Sequence, residues 1–578
     1  MVVNDWYHET RRLIGSGSNV INSFQGHPNG PCVSMDQTPR NSLSSTKLTL
    51  IAALSIVIIG VVVYHRVPFQ EIGNYDEMIW VGAVQQPGLA TLKRILTWDL
   101  TWGEAGSRQT GYYAPVSAAS IMVDLWLGRA LGSTDMVLKS TNLVLHLLNS
   151  LAVLWLIRCL GFSLWISFTV ASIFAIHPLQ VSTVAWIAER KNLLVGFSFL
   201  VGLLCYCRYR QTEKKGFYWG ALAAYCLSLL SKPSAVVFGP CMIITDLFLV
   251  DKRLTIQSLC RAAPMLVIGI LWTVLVTATE GTVADAPPLW DRILLFPFKT
   301  FFLLGKFFIP TGLTLIYPPL GVDVAPILLW IPTVVLAVLG IILLALHRFV
   351  PMWTILWGVS FYILNLIPSS GIVPFSGMNE LYVADHYQYL AIIGASLAIA
   401  LGMNGLASRW PAQKALYAKA VFTVTAVLVL SSVSVSLVPI WDTGESLWND
   451  VIAKNPTSVT AHYNYAHYLD DKGRYGEAVT QYRKAVAFDE DLYQAYNNLG
   501  IIMMRQGRLD AAVEYFRKAI DKKPRFGDPH LALAKIRFSQ ASYSQALEHC
   551  RKARLYGADC RPEDLEKAIR EKAIESNR

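Results

Sequence analysis

Apolar runs long enough to cross a bilayer follow one another as far as residue 440. Beyond Trp441 the pattern changes to short amphipathic segments that repeat every 34 residues. Segments such as Leu48–Tyr64, Ile327–Leu346 and Val421–Ile440 approach the ~20 apolar residues that a membrane-spanning helix requires. The acidic residues follow the same division. Residues 1–440 hold 20 of the 40 carboxylates and the last 138 residues hold the other 20. A carboxylate is costly inside lipid, so the first part reads as membrane and the second as water-exposed. Both parts are predicted to be helical, which makes the chain an all-α polytopic membrane protein with a C-terminal repeat superhelix.

The spans are expected near 47–64, 137–157, 163–177, 192–207, 217–231, 233–250, 262–279, 325–346, 351–367, 387–406 and 418–440, about eleven in all. Residues 1–46, polar and rich in Gly, Ser and Asn, read as a disordered cytoplasmic tail before an uncleaved first span. Basic residues then fall on alternate short loops: Arg208, Arg210, Lys214 and Lys215; Lys252, Arg253 and Arg261; Arg348; and Arg409, Lys414 and Lys419. That alternation places them inside. It holds only if 293–318 is an interfacial or re-entrant hairpin broken at Pro297 and Pro310. An odd span count then puts the C-terminal repeats on the outer face.

The net charge of +10 divides into +8 before residue 441 and +2 after it, with no basic stripe suited to nucleic acid. The nine cysteines show no metal-ligand spacing. Cys550 and Cys560 read equally as a disulfide in an exported domain or as two free thiols.

At the 34-residue period Gly473 maps to Gly507, Ala478 to Ala512 and Ala546, and Ala485 to Ala519 and Ala553. One slot reads Tyr482, Phe516 and then Cys550. Small residues at those offsets let paired helices cross closely, the pattern of tetratricopeptide repeats. Three units are expected at 459–560, preceded by a half-repeat linker at 441–458 and followed by a capping helix at 561–578. His462, Tyr463, Tyr496 and Asn497 are expected on the concave face, where polar and aromatic groups can hold an extended peptide. A passive scaffold is the competing reading.

Within the membrane part, residues 47–440, four places carry candidate chemistry. The first outer loop, 65–136, opens with Asp76 and Glu77 close to the membrane surface. There one carboxylate could deprotonate an acceptor hydroxyl while the other orients it. The block FAIHPLQVSTVAWIAERKN, 174–192, carries His177, Glu189, Arg190 and Lys191. Cations at an outer boundary oppose the charge rule, and a lipid phosphate would explain them; snorkelling side chains are the plain alternative. Lys299 and Lys306 stand seven residues apart in the apolar 293–318 stretch and suit the same phosphate or an interfacial anchor. The Gly/Pro-rich loop 366–390 ends in Asp385, His386 and Tyr387, which can contact a sugar headgroup.

Taken in order, Asp76-Glu77, YYAPVS (112–117), NLVLHLLNS (142–150), the 174–192 block, LSKP (230–233), NLIPSSGIVP (365–374), ADHYQYLA (384–391) and the repeats resemble one family. It is that of the transmembrane and tetratricopeptide-repeat-containing O-mannosyltransferase-like proteins of the GT-C membrane superfamily, in a bacterial-type form. The resemblance covers about 70–578. It implies a GT-C-type glycosyltransferase that moves a sugar from a polyprenyl-phosphate donor to protein Ser or Thr hydroxyls outside the cytoplasm. Asp76 takes the place of the family's acid, Glu77 assists, and the repeats engage the acceptor or a partner protein. The lipid-linked sugar is a substrate, so no cofactor or metal is called for.

Two departures stand out. Ser182 and Thr183 occupy a place where relatives often carry an acid, and Ala114 one where many carry Arg or His. The absence of an Asn-x-Ser/Thr sequon favours a bacterial inner membrane with the repeats extracytoplasmic over an endoplasmic reticulum membrane with the repeats lumenal. A non-catalytic membrane scaffold and an outward-facing oligosaccharyl ligase or glycan polymerase are the alternatives.

Overall fold

The computed structural model describes residues 42–72, 113–280, 288–318, 326–345, 352–373 and 383–576, with Glu77, 80–82, Val84, Gln86 and 88–96 of the first outer loop. From Ala52 onward the chain forms one compact unit. Among the described residues the regular structure is entirely helical.

The membrane part comprises α1 (Ser42–Tyr64), α2 (Leu89–Leu96), α3 (Pro115–Leu131), α4 (Thr134–Cys159), α5 (Leu164–Ile176), α6 (Val181–Ala185), α7 (Arg190–Thr212), α8 (Lys215–Ser231), α9 (Phe238–Thr245), α10 (Ile256–Glu280), α11 (Leu289–Phe308), α12 (Pro326–Ala345), α13 (Met352–Leu366), α14 (Ile392–Ala407) and α15 (Ala412–Leu437). Seven helical stretches among the described residues are long and apolar enough to span a bilayer, and α5 with the segment after it makes a bent eighth. α8, α12 and α14 cover the remaining expected spans as helices.

Local chemistry explains the breaks. Pro178 has no N–H to continue α5, and the chain bends there by 50°. Gly132 ends α3 at a positive φ of 70°, the left-handed turn that closes many helices. α13 and α14 touch backbone to backbone: a Cβ added at Gly358 would meet the Gly394 carbonyl oxygen at 2.9 Å, and one at Gly394 would clash with Gly358 in turn. Small residues facing one another are how helices approach closely without a hydrophobic drive.

One expectation is corrected. The 293–318 segment is not a hairpin broken at Pro297, because α11 runs unbroken through Pro297 and ends ahead of Pro310. A single proline removes one hydrogen bond, and packing of the buried Lys299, Thr300, Leu303 and Phe307 face keeps the helix whole.

After α15 a short turn, Val438–Trp441, leads into α16 (Gly444–Lys454), held by a reciprocal Thr443–Ser446 capping box. Three helix pairs follow: α17 (Val459–Asp471) with α18 (Tyr475–Phe488), α19 (Tyr493–Arg505) with α20 (Leu509–Lys522), and α21 (Gly527–Ser539) with α22 (Tyr543–Leu555). α23 (Pro562–Ser576) completes the chain. The repeating small residues Ala478, Ala485, Ala512, Ala519, Ala546 and Ala553 are fully buried, as are Tyr482, Phe516 and Cys550 in the shared slot. Cys550 is joined to Cys560.

The array is tied to the membrane part. Arg66 pairs with Asp442, Gln70 donates to the Val438 carbonyl at 2.9 Å, and Lys472 of the first repeat reaches Glu71 at 3.5 Å.

Candidate functional site

The block 177–192 does more than join two spans. Its apolar residues and Pro178 force three short turns, and almost every side chain in it is buried. His177 pins the first turn. Its Nδ1 accepts from the Leu179 N–H at 3.2 Å, its Nε2 donates to the Phe307 carbonyl at 3.0 Å, and its ring stacks on Phe307. With both nitrogens engaged, His177 holds the fold and is not presented to a headgroup.

Around this block the separated motifs meet. Asp76 lies outside the described residues. Glu77 is buried and accepts from Lys139 Nζ at 2.9 Å and from the Ile187 N–H at 2.9 Å. Lys139 also donates to the Ala185 carbonyl at 2.7 Å. These two bonds make Glu77 an anchor of the loop on the 177–192 block.

Arg190 is likewise corrected. Its guanidinium is fully buried and bonds Asp124 at 2.7 Å, Ser120 at 2.9 Å, the Leu138 carbonyl at 2.7 Å and Asn142. It closes an internal ion pair, and its full burial keeps it from presenting a fork to a phosphate.

Glu189 is the hub of a second cluster. Lys191 Nζ lies 3.5 Å from it, His386 Nε2 lies 3.8 Å away, and Asn192 donates to it. Lys232, from the LSKP motif, donates to Asn192 Oδ1 at 2.7 Å. Burial, foremost, pulls His386 down to about 4, leaving its ring neutral near pH 7. Asp385, one residue earlier, accepts from the Tyr317 hydroxyl at 2.6 Å. Burial raises its carboxyl to about 7, despite the opposing Tyr317 bond and the nearby Lys306 and Lys454.

Asp385 faces a pocket lined also by Pro178, Ser182, Thr314, Trp441 and, from α16, Asp450. The hydroxyls of Ser182 and Thr314 are buried there without hydrogen-bond partners among the described residues. Tyr387 borders a neighbouring recess with Lys299 and Ser370. Lys299 is buried and donates to the Ser370 carbonyl at 2.8 Å. Lys306 donates to the Thr311 carbonyl at 2.7 Å and lies over the Phe302 and Tyr317 rings. The two lysines share a helix but meet different partners. On the membrane side an apolar cleft of ≈ 420 Å³ runs between α5, α11, α14 and α15, past His177 and Phe307.

The expected peptide face fares less well. His462 is buried, with one ring nitrogen bonded to Gln481 at 2.7 Å and the other to the Pro456 carbonyl at 3.0 Å. Asn497 is also buried. Tyr463 packs edge-on against Tyr482 and accepts from Asn498 at 3.3 Å. Of the four, Tyr496 is half-buried. His462 and Asn497 therefore serve packing between helices and do not form a peptide groove.

Lys139, Asp124, Tyr317 and Lys232 belong to the site and were not singled out as such in the sequence. A lone lysine inside an apolar helix, as at 139, was the available signal.

These apolar helices and the paired repeats define an integral membrane protein carrying a tetratricopeptide array. Family models for the TPR repeat and the tetratricopeptide repeat match residues 469–507 and 493–526. Among characterised proteins the chain is similar to human protein O-mannosyl-transferase TMTC1, 24% identical over 472 residues, 72% of this chain and 52% of that one. It is also similar to a Caenorhabditis elegans protein O-mannosyl-transferase, F38B6.6, 23% identical over 412 residues, 68% of this chain and 56% of the other. The chain thus spans about half the length of these relatives. Among solved structures it is similar to the Archaeoglobus fulgidus oligosaccharyltransferase tethered with an acceptor peptide, with a TM-score of 0.40 and 14% identity over 73% of this chain and 59% of that one. The resemblance read from the motifs is borne out by the O-mannosyl-transferase relatives.

Proposed function

We propose that this protein is a GT-C-type membrane glycosyltransferase that moves a sugar from a polyprenyl-phosphate donor to Ser or Thr hydroxyls of exported proteins. The observation that carries the reading is convergence. The first outer loop, the 177–192 block, LSKP and 385–387 lie far apart in sequence. They meet at Glu77–Ile187, Glu189–His386 and Asn192–Lys232, beside the first helix of the repeat region.

In this reading Asp76 takes the acceptor proton and Glu77 fixes its loop. Lys191 and Lys306, with Lys299 behind them, supply positive charge for the departing phosphate, a stabilisation that grows in the transition state. Asp385, His386 and Tyr387 border the sugar, and the unpartnered Ser182 and Thr314 hydroxyls suit a polyol. The apolar cleft beside His177 suits the isoprenoid chain. The Cys550–Cys560 disulfide supports an orientation with the repeats on an oxidising, extracytoplasmic side, where they engage an acceptor or partner protein.

The test is turnover of radiolabelled polyprenyl-phosphate sugars by membranes carrying Asp76→Asn. That change keeps shape and removes basicity, so transfer should fall ~10²-fold or more while the protein still inserts. Undiminished transfer would take Asp76 out of the mechanism, and no consumption of any such donor by the unaltered protein would overturn the enzyme reading.

A further inference from the structure

Where the first helix of the repeat region meets the membrane part, a small cavity lies between them. It is lined by the 313–315 segment, Asp385, Ser182 of the 177–192 block, Trp441 and, from α16, Asp450. Lys454 of the same helix ties the two sides together, pairing with Asp450 at 2.6 Å and donating to the Leu313 carbonyl at 2.7 Å. Trp441 packs on Trp186, which stands edge-on to His386. The cavity therefore adjoins the Glu189 cluster.

Its lining states what it can hold. The Ser182 and Thr314 hydroxyls are more than nine-tenths buried and have no hydrogen-bond partner among the described residues. A buried polar group left in that state costs free energy until something bonds to it. An ionised carboxylate only accepts, whereas a hydroxyl both donates and accepts. A neutral hydroxyl can thus give its proton to Asp385 or Asp450 and take one from Ser182 or Thr314. Size narrows the choice further. The cavity measures ≈ 30 Å³, and one water-sized group needs about 10–15 Å³ on that measure. It admits a carbon and its hydroxyl, and not a sugar ring. Nor can a reacting hydroxyl sit there, because the sugar carbon and the departing phosphate must stand beside it. The group that enters is an arm that does not react.

We infer that this cavity is a subsite for the hydroxymethyl arm of the donor sugar, with Asp450 of the repeat region as one of its specificity-determining residues. The inference rests on the proposed glycosyltransferase reading and narrows its substrate class to sugars with a free primary hydroxyl. It also makes the first helix of the array part of the donor site. Asp385, beside the sugar in that reading, favours the sugar as the source of the arm; a second serine in the acceptor would present the same chemistry.

Transfer by membranes carrying the full-length protein tests it. The donors are polyprenyl phosphates bearing mannose, glucose or galactose, each beside its 6-deoxy form, and the acceptors are synthetic peptides with one serine or two. The unaltered protein should use a hexose at least about tenfold better than its 6-deoxy form, which leaves the buried hydroxyls unpaired. Thr314→Val and Ser182→Ala should each bring that ratio towards one, chiefly by slowing the hexose. Asp450→Ala should do the same; an α16 that only props the fold would slow both sugars equally, keep the ratio and overturn the part given to Asp450. Equal use of hexose and 6-deoxy hexose by the unaltered protein, as from a cavity that holds only ordered water, overturns the subsite and leaves the transferase reading intact. So does a ratio unmoved by both Thr314→Val and Ser182→Ala. An effect of these variants confined to the two-serine peptide overturns the sugar as the source of the arm. Consumption of no donor by the unaltered protein overturns both readings.

Discussion

The membrane part and the repeat array treat charge in opposite ways. In the membrane part, acids and bases are turned inward and matched with one another: Glu77 with Lys139, Asp124 with Arg190, and Asp246 with Arg210 and Arg261. In the array the pairs lie outside, one helical turn apart, as in Glu514 with Lys518 and Glu548 with Lys552. Water screens the second kind and not the first. An inner pair therefore specifies which helices meet, whereas an outer pair mainly keeps the surface soluble.

The sharpest way to break this contrast is to cut an inner pair. Arg190→Gln leaves Asp124 buried and unmatched, which should cost about 3–5 kcal/mol. The loss should appear as poor insertion and a lowered thermal midpoint in detergent. A stable Arg190→Gln that merely loses donor affinity would return Arg190 to the phosphate site. Next in size is the close helix contact. Gly394→Leu forces α14 from α13 and should destabilise by about 1–3 kcal/mol, measured by the same midpoint, with no effect expected from an exposed change such as Gly476→Ala in the array.

A smaller effect comes from pH. Burial raises Asp385 to about 7 from the ordinary 3.8. Between those values the folded protein keeps a proton that the unfolded chain has released. The contribution is full below about pH 4 and is lost as pH climbs through about 7. Midpoints at pH 5 and pH 8 should therefore differ less in Asp385→Asn than in the unaltered protein, and an equal difference would refute the shift. Last, Lys552→Ala in the array should leave the midpoint unmoved, since its partner Glu548 is solvated.

Much of the architecture was legible because it is written in short periods. Runs of apolar residues gave the helices of the membrane part, and the 34-residue spacing gave the helix pairs. The site was legible in location more than in role. Arg190 does stand where the chain gathers its chemistry, but its partner Asp124 lies 66 residues earlier, and no local pattern reveals such a match. His462 looked like a groove residue. It sits at the start of α17, one turn past the Ser458 cap, where the linker carbonyl of Pro456 and Gln481 of the next helix enclose it. Lys232 was hidden by its neighbour, since a lysine before proline reads as the end of a helix. Pro297 misled for the opposite reason: tertiary packing carried the helix across it.

One detail at the far end of the array has a consequence for how the protein matures. Repeats one and two close their cores with aromatic rings, Tyr482 and Phe516, whereas the third puts Cys550 in that slot and clips it to Cys560 ahead of the last helix. Here the third pair is fastened by a bond whose existence depends on the surrounding redox poise. The helix pairs can therefore form before that bond does, and the third pair locks only where the redox poise lets Cys550 and Cys560 join. Kept reduced, the third pair would lack that clip and open to proteases more readily.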